Sequence, residues 1–261
     1  SPGGPDGPDG PDAPDGPDGP DAPVVSAPLH VTVVLAADAC TDRTVERASA
    51  AWAASGLPEG TARLEVVTGS WRSAGGARAA AASWALANSR PQWIASTDAD
   101  TAVPENWVAY QLERAAHGVD AVLGTVEPDP SECPVAVYRL WQREHTLAEG
   151  HPHIHAANMG VRARSYERAG GFPALECSED EALVAALHRV GARIEATDRI
   201  RVITSARFEG RAELGFAHLL GLAQLAGQPE EAPWPWPAQP QRPEPAGRPN
   251  GPEFFAHRKN A

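Results

Sequence analysis

The stretch Gln92-Trp93-Ile94-Ala95-Ser96-Thr97-Asp98-Ala99-Asp100 decides how this chain is read. A short apolar run ends in two aspartates one residue apart, and Pro104 follows closely enough to open a helix. With residues 92–97 as a strand, Asp98 and Asp100 fall where the strand frays into a loop and point toward one spot. Two carboxylates held that close repel each other unless a cation shares them. Oxygen ligands select a hard divalent ion such as Mg²⁺ or Mn²⁺, commonly one that also holds a substrate diphosphate. The same residues also read as an Asp-rich turn capping the helix near Pro104, and the surrounding sequence has to decide.

Outward from this stretch, strand and helix patterns alternate. Strands are expected at His30–Ala36, Ala62–Thr68, the run ending at Asp98, Val119–Val126, Ala157–Val161, Arg193–Thr197 and Ile200–Thr204. Helices are expected at Thr44–Ala54, Gly75–Asn88, Pro104–His117, Val135–Leu147, Glu179–Val190 and Leu214–Ala226. Such alternation predicts an α/β fold, an open, mostly parallel twisted sheet with helices on both faces. Ligands in that architecture gather at the carboxyl ends of the strands, where Asp98 and Asp100 lie.

Both ends of the chain differ in composition from this core. Residues 1–28 are dominated by a period-three Pro-Asp-Gly/Ala repeat, too short and too often interrupted for a collagen triple helix, and they read as a solvated linker. Residues 228–261 are proline-rich with few aliphatic side chains and read as a flexible tail. Residues 29–227 remain as one domain of ordinary size. The net charge of −12 overstates the acidity of that domain, because six of the aspartates belong to the repeat. No basic cluster marks a nucleic-acid partner. No apolar run is long enough to cross a membrane, although Phe216–Ala226 is amphipathic and leaves peripheral membrane contact open. Cys40, Cys133 and Cys177 are odd in number and widely spaced, which argues against a disulfide scaffold or zinc site and fits a reducing cytoplasm. Lys259 is the sole lysine and alanine is abundant, the usage of a GC-rich bacterial genome. The chain opens with Ser1 and its only methionine is Met159, so further sequence is expected ahead of it.

Four local patterns follow one another in order: Asp38-Ala39-Cys40-Thr41-Asp42-Arg43-Thr44 after the first strand; Gly75-Gly76-Ala77-Arg78 opening a helix; Asp98-Ala99-Asp100; and Gly170-Gly171-Phe172-Pro173 followed by Glu179-Asp180-Glu181. In this order and spacing they resemble the family 2 glycosyltransferases, which have the GT-A nucleotide-sugar-binding fold, over roughly Val31 to Leu220. The resemblance implies an inverting, metal-dependent transfer of sugar from a nucleotide-diphosphate donor to an acceptor hydroxyl on a saccharide, lipid or small metabolite. It implies that Asp100 ligates Mn²⁺ or Mg²⁺, that Asp98 approaches the metal or the ribose, and that Asp38 and Arg78 lie near the nucleotide. It makes Asp180 the base and Glu179 the residue that orients acceptor or base. Some GT-A enzymes complete the metal site with a later histidine, which here is His218.

Several residues carry two readings. Glu179 and Asp180 also suit the first turn of a helix, and Asp42 and Thr44 suit turn and cap chemistry. His153 and His155 alternate on an extended segment, so they share a side, either as a pocket wall or as structural histidines. Arg207 and Arg211 match diphosphate oxygens but equally suit a solvated surface. Gly170-Gly171 reads as a backbone turn with Phe172 in the core. Relatives begin with a strand ending in a Pro-x-Asn-Glu-like motif and then a helix. No such unit precedes Val31, which implies an unpaired strand edge inside the sheet. The competing classes are a nucleotidyltransferase, whose early Gly-rich basic loop is not visible here, and a nucleotide-sugar-binding module without turnover.

Overall fold

The computed structural model describes residues 29–57 and 60–208, together with Gly221. The repeat, the proline-rich tail, Arg211, His218 and, apart from Gly221, the helix expected at Leu214–Ala226 lie outside the described residues.

In chain order the elements are β1 (Val31–Asp38), α1 (Thr44–Ala53), β2 (Ala62–Gly69), α2 (Ala74–Ser89), β3 (Trp93–Ser96), β4 (Thr101–Ala102), α3 (Trp107–Ala116), β5 (Ala121–Pro128), α4 (Val135–Glu144), β6 (Met159–Arg162), α5 (Ala163–Ala169), α6 (Glu179–Arg189) and β7 (Ile194–Thr204). A single 3₁₀ turn at Ala156–Asn158 leads into β6.

β5 is the centre of a five-stranded sheet in the order β3-β6-β5-β7-β4, and all eight of its residues are buried. Side chains alternate across a strand. Ala121 and Leu123 therefore face one cluster with Met159, Val161, Tyr166, Phe172, Leu183 and Leu187. Val122 and Val126 face another with Trp107, Val119, Ile200 and Val202. Helices cover both faces, as the α/β pattern requires. A third cluster, Cys133, Val137, Leu140 and Ala206, sits under α4.

In the five-stranded sheet β3, β5 and β7 share one direction, in line with the expected α/β sheet, and β6 and β4 are reversed. β5 and β7 run parallel, but β6 is antiparallel to both β3 and β5, and β4 is antiparallel to β7. Ser96, the last residue of β3, pairs with Met159, the first of β6, so the chain enters β6 from the rim where β3 ends. No helix carries the chain back to the opposite end before β6, and an antiparallel strand results. The two short strands expected at 193–204 are one strand, β7, whose pairing to β5 shifts register between Gly124 and Val126.

β1 and β2 form a separate parallel pair. Among the described residues, β1 bonds to β2 alone and β3 to β6 alone, so each presents one unpaired edge. α2 packs mainly on β1.

Candidate active site

The loop Thr97–Asp100 is held from both sides. Thr101 N–H donates to Asp98 O at 3.2 Å, closing a turn, and β4 then clamps to β7 with the Thr101 hydroxyl donating to Thr204 at 2.9 Å. Ser205 N–H donates to Asp100 O at 3.1 Å. Residues 205 and 206 are anchored in turn by Glu132, which accepts from the Ser205 hydroxyl and the Ala206 N–H, each at 3.1 Å.

Arg78 links this loop to α6. Its guanidinium, 16% exposed, donates to Asp98 through one terminal nitrogen and to Glu179 through the other. α2 can approach α6 that closely because residue 75 is glycine: a Cβ there would lie 2.3 Å from Pro173 O and 2.9 Å from Glu179 Cβ. Ser73 accepts from Gly76 N–H at 3.1 Å and caps the helix that carries Arg78. Burial raises the Glu179 carboxyl above its ordinary range, opposed by Arg78 and reinforced by Asp180.

Asp180 is half-buried on the first turn of α6. Its Oδ2 accepts from Ala156 N–H at 3.1 Å and its Oδ1 from Glu181 N–H at 2.9 Å. Both oxygens are thus oriented, and each keeps a further lone pair. The Gly170-Gly171 turn precedes this helix with both glycines at positive φ, +88° and +72°. Phe172 is buried against Tyr166, ring centroids 5.7 Å apart.

The structure therefore joins Arg78, Asp98 and Glu179 in one cluster, with Asp180 next in sequence and Asp100 next along the loop. Asp100 has its own guanidinium: Arg207 Nη1 lies 2.9 Å from Asp100 Oδ2. Asp38 does not join the cluster. Its Oδ1 accepts from Trp71 N–H at 2.7 Å and Arg72 N–H at 2.9 Å, which ties the end of β1 to the turn before α2. Asp42 accepts from the Thr44 N–H and hydroxyl, a local turn ahead of α1.

His153 and His155 do share one side, within a longer ladder. The rings run Tyr138, Trp141, His145, His153, His155, with centroids 5.8, 4.6, 4.9 and 6.1 Å apart, and His151 lies 5.7 Å from His153. Thr146 N–H donates to His153 Nε2 at 2.8 Å, which makes that ring a neutral acceptor. Burial, then the neighbouring histidine charges, pushes His153 down to about 4 and His155 to about 3. The ladder ends one residue from Ala156, whose N–H holds Asp180. Sequence reading missed His145, Trp141 and Tyr138 as its members, because they come from a different element and only tertiary packing stacks them. Asn158, also in this segment, is buried. It donates to Thr125 O at 2.8 Å and Ile200 O at 2.7 Å and accepts from the Trp107 indole at 2.8 Å, which pins the β5–β7 register shift.

The donor set fits a hard cation. Asp98 and Asp100 offer only carboxylate oxygens, their side chains are 39% and 28% exposed, and each already faces a positive group. Among the described residues no group of three or more His, Cys, Asp or Glu is arranged to hold a metal, so an ion here would complete its sphere with water or donor oxygens. Among the described residues Cys40, Cys133 and Cys177 are free thiols, and no helix is long and apolar enough to cross a membrane.

The model of "Glycosyl transferase family 2" matches residues 24–168. That is more than half of the chain, and the chain belongs to this family. No curated protein matches it. Similar solved structures include a Staphylococcus aureus TarS fragment with UDP, at 11% identity over 69% of this chain and 61% of that one, TM-score 0.46. The mannosyltransferase PcManGT from Pyrobaculum calidifontis, with GDP-Man and Mn²⁺, is 23% identical over 70% of this chain and 49% of that one, TM-score 0.47. GalNAc-T7 with UDP, GalNAc and Mn²⁺ is 10% identical over 72% of this chain and 46% of that one, TM-score 0.49. The chain thus spans about half to three fifths of the length of these proteins.

Proposed function

We propose that this chain transfers a sugar from a nucleotide-diphosphate donor to an acceptor hydroxyl, by inverting displacement with Asp180 as base. The observation that carries the reading is the Arg78 bridge. One guanidinium ties the donor-side carboxylate Asp98 to Glu179, which adjoins Asp180, so both halves of a bimolecular reaction share one rim. Asp100, with Asp98 beside it, would hold a divalent cation, which when bound neutralises charge on the departing diphosphate. Asp180 takes the acceptor proton as the new C–O bond forms at the anomeric carbon and the bond to diphosphate breaks. Its two backbone donors keep the carboxylate aimed while this happens. Glu179, neutralised by Arg78, orients the pair. Free, widely separated thiols fit a cytoplasmic setting. The acceptor class remains saccharide, lipid or small metabolite.

The test is sugar release and transfer from UDP-, GDP- and dTDP-sugars, with Mn²⁺ and with EDTA, and with product anomers assigned by NMR. Asp180→Asn is expected to lose about 10²–10⁴-fold in turnover, and full turnover in that variant would remove Asp180 as base. A retained anomer would overturn the inverting displacement.

One observation favours a second reading, a binding module without turnover: among the described residues β1 pairs with β2 alone and β3 with β6 alone. Nucleotide-dependent thermal stabilisation with no sugar release would select it.

A further inference from the structure

The two guanidiniums on the Asp98–Asp100 loop are held very differently. Arg78 is mostly buried, and its second partner, Glu179, is only 8% exposed on its side chain. Separating them would leave a charge buried and unpaired, so this contact is permanent. The Arg207 side chain is 58% exposed, and Asp100 is the only carboxylate with which it forms an ion pair among the described residues. A pair that open to water is weak and readily exchanged. Its backbone, however, is well placed. Ser205 is bonded to Asp100 O, Ser205 and Ala206 are bonded to Glu132, and the Ala206 side chain is buried. The arginine is therefore delivered to Asp100 by a fixed segment, while its charged end is free to leave.

We propose that Arg207 is the resident counter-ion of Asp100 and that it and a divalent cation occupy this carboxylate in turn. The inference rests on the reading of Asp100 as a cation ligand. Without donor, the guanidinium neutralises Asp100 and disfavours metal binding alone. When a cation arrives with a diphosphate, the displaced guanidinium finds new acceptors in the diphosphate oxygens, which it matches geometrically. Metal and donor then bind together more readily than either binds alone, a coupling that arises from the exchange of one ion pair for another.

Binding of Mn²⁺ alone, followed by loss of the free-ion EPR signal at low ionic strength with the full chain, tests this without any turnover. Arg207→Gln is expected to bind Mn²⁺ about fivefold more tightly than the parent, because a competing charge is removed. Arg72→Gln, which removes an exposed arginine that makes no ion pair with Asp98 or Asp100 among the described residues, controls for overall charge and is expected to stay within about twofold. Asp100→Asn is expected to abolish the binding in either background. With added inorganic pyrophosphate the order reverses, and Arg207→Gln holds the Mn²⁺–pyrophosphate pair more weakly than the parent. Equal or weaker Mn²⁺ binding in Arg207→Gln, with Asp100→Asn still abolishing it, overturns the exchange and leaves Asp100 a ligand. Unchanged binding in Asp100→Asn overturns the ligand assignment itself and the exchange with it.

Discussion

β1 and β5 are similar strings of residues with opposite fates. Val31–Asp38 is as apolar as Ala121–Pro128, yet only Ala37 of β1 is buried, whereas every residue of β5 is. Val33 remains 42% exposed. The helices follow the strands: α1 buries no residue, and α6 buries five. The difference teaches that apolar sequence marks a strand but does not bury it. Burial needs hydrogen-bonded neighbours on both edges and helices on both faces, and among the described residues β5 has both. The candidate site and the turn that Asp38 anchors lie on both sides of this contrast. Asp38 and the turn before α2 belong to the lightly buried unit, Asp180 to the tightly packed one, and Arg78 reaches between them.

The contrast is most exposed to test by matched truncations. Leu187→Ala, in α6 and fully buried, is expected to cost about 2–5 kcal/mol in urea unfolding. Leu35→Ala in β1 should cost less than half as much, because its side chain is already partly in water. Equal costs would mean that β1 is more enclosed than its neighbours indicate.

Acid should weaken the packed unit through the histidine ladder. His145, His153 and His155 are all lowered by burial, so the folded state prefers their neutral forms. As pH falls below the ordinary histidine value near 6.5, the unfolded chain takes up protons first. The stability from these rings is therefore complete above about pH 6.5 and is lost as pH falls toward 4 and 3. His153 alone accounts for roughly 3 kcal/mol across that window. Unfolding midpoints from pH 7 to 4 should fall accordingly, and His153→Phe should flatten the slope. A flat profile in the parent would show that the ladder titrates normally.

Gly75→Ala tests the junction between the two units. The added methyl meets backbone atoms of the 173–175 turn, which cannot rotate away, and overpacking of this kind costs about 1–3 kcal/mol. Nucleotide binding, followed by thermal shift, should weaken with it, since Arg78 is displaced from Glu179. If stability drops while nucleotide binding holds, the bridge does not depend on this close approach.

The smallest effect belongs to the outer face. Arg63 lies over the Trp84 ring at 5.7 Å and is half exposed, so Arg63→Ala should change stability by no more than about 1 kcal/mol. A larger loss would place more of the stability in the β1–β2 unit than its burial indicates.

Most of the helices and strands were legible because they carry unbroken periodic runs. β1, α2 and α6 begin and end within two residues of where their patterns do. α5 went unseen, since Ala163–Ala169 is barely two turns and has no flanking gap in the pattern. The two-residue β4 exists only because β7 lies beside it. Of the candidate site, Asp98, Asp100, Glu179 and Asp180 could be named from motif order. Asp38 was named through the resemblance as a residue near the nucleotide, but not as the anchor of the turn at 71–72, because its partners there lie more than thirty residues away.

What the sequence by itself determined is local: which segments become strands and helices, and that acidic pairs stand at two of their ends. Those facts follow from periodicity, caps and turns, which act over a few residues. Tertiary structure alone decided that β6 runs antiparallel, that four histidines stack with Trp141, and that one arginine of α2 joins Asp98 to Glu179. Each of these depends on which distant surfaces meet. That is set by close packing of whole elements, down to a missing Cβ at Gly75, and no local pattern encodes it.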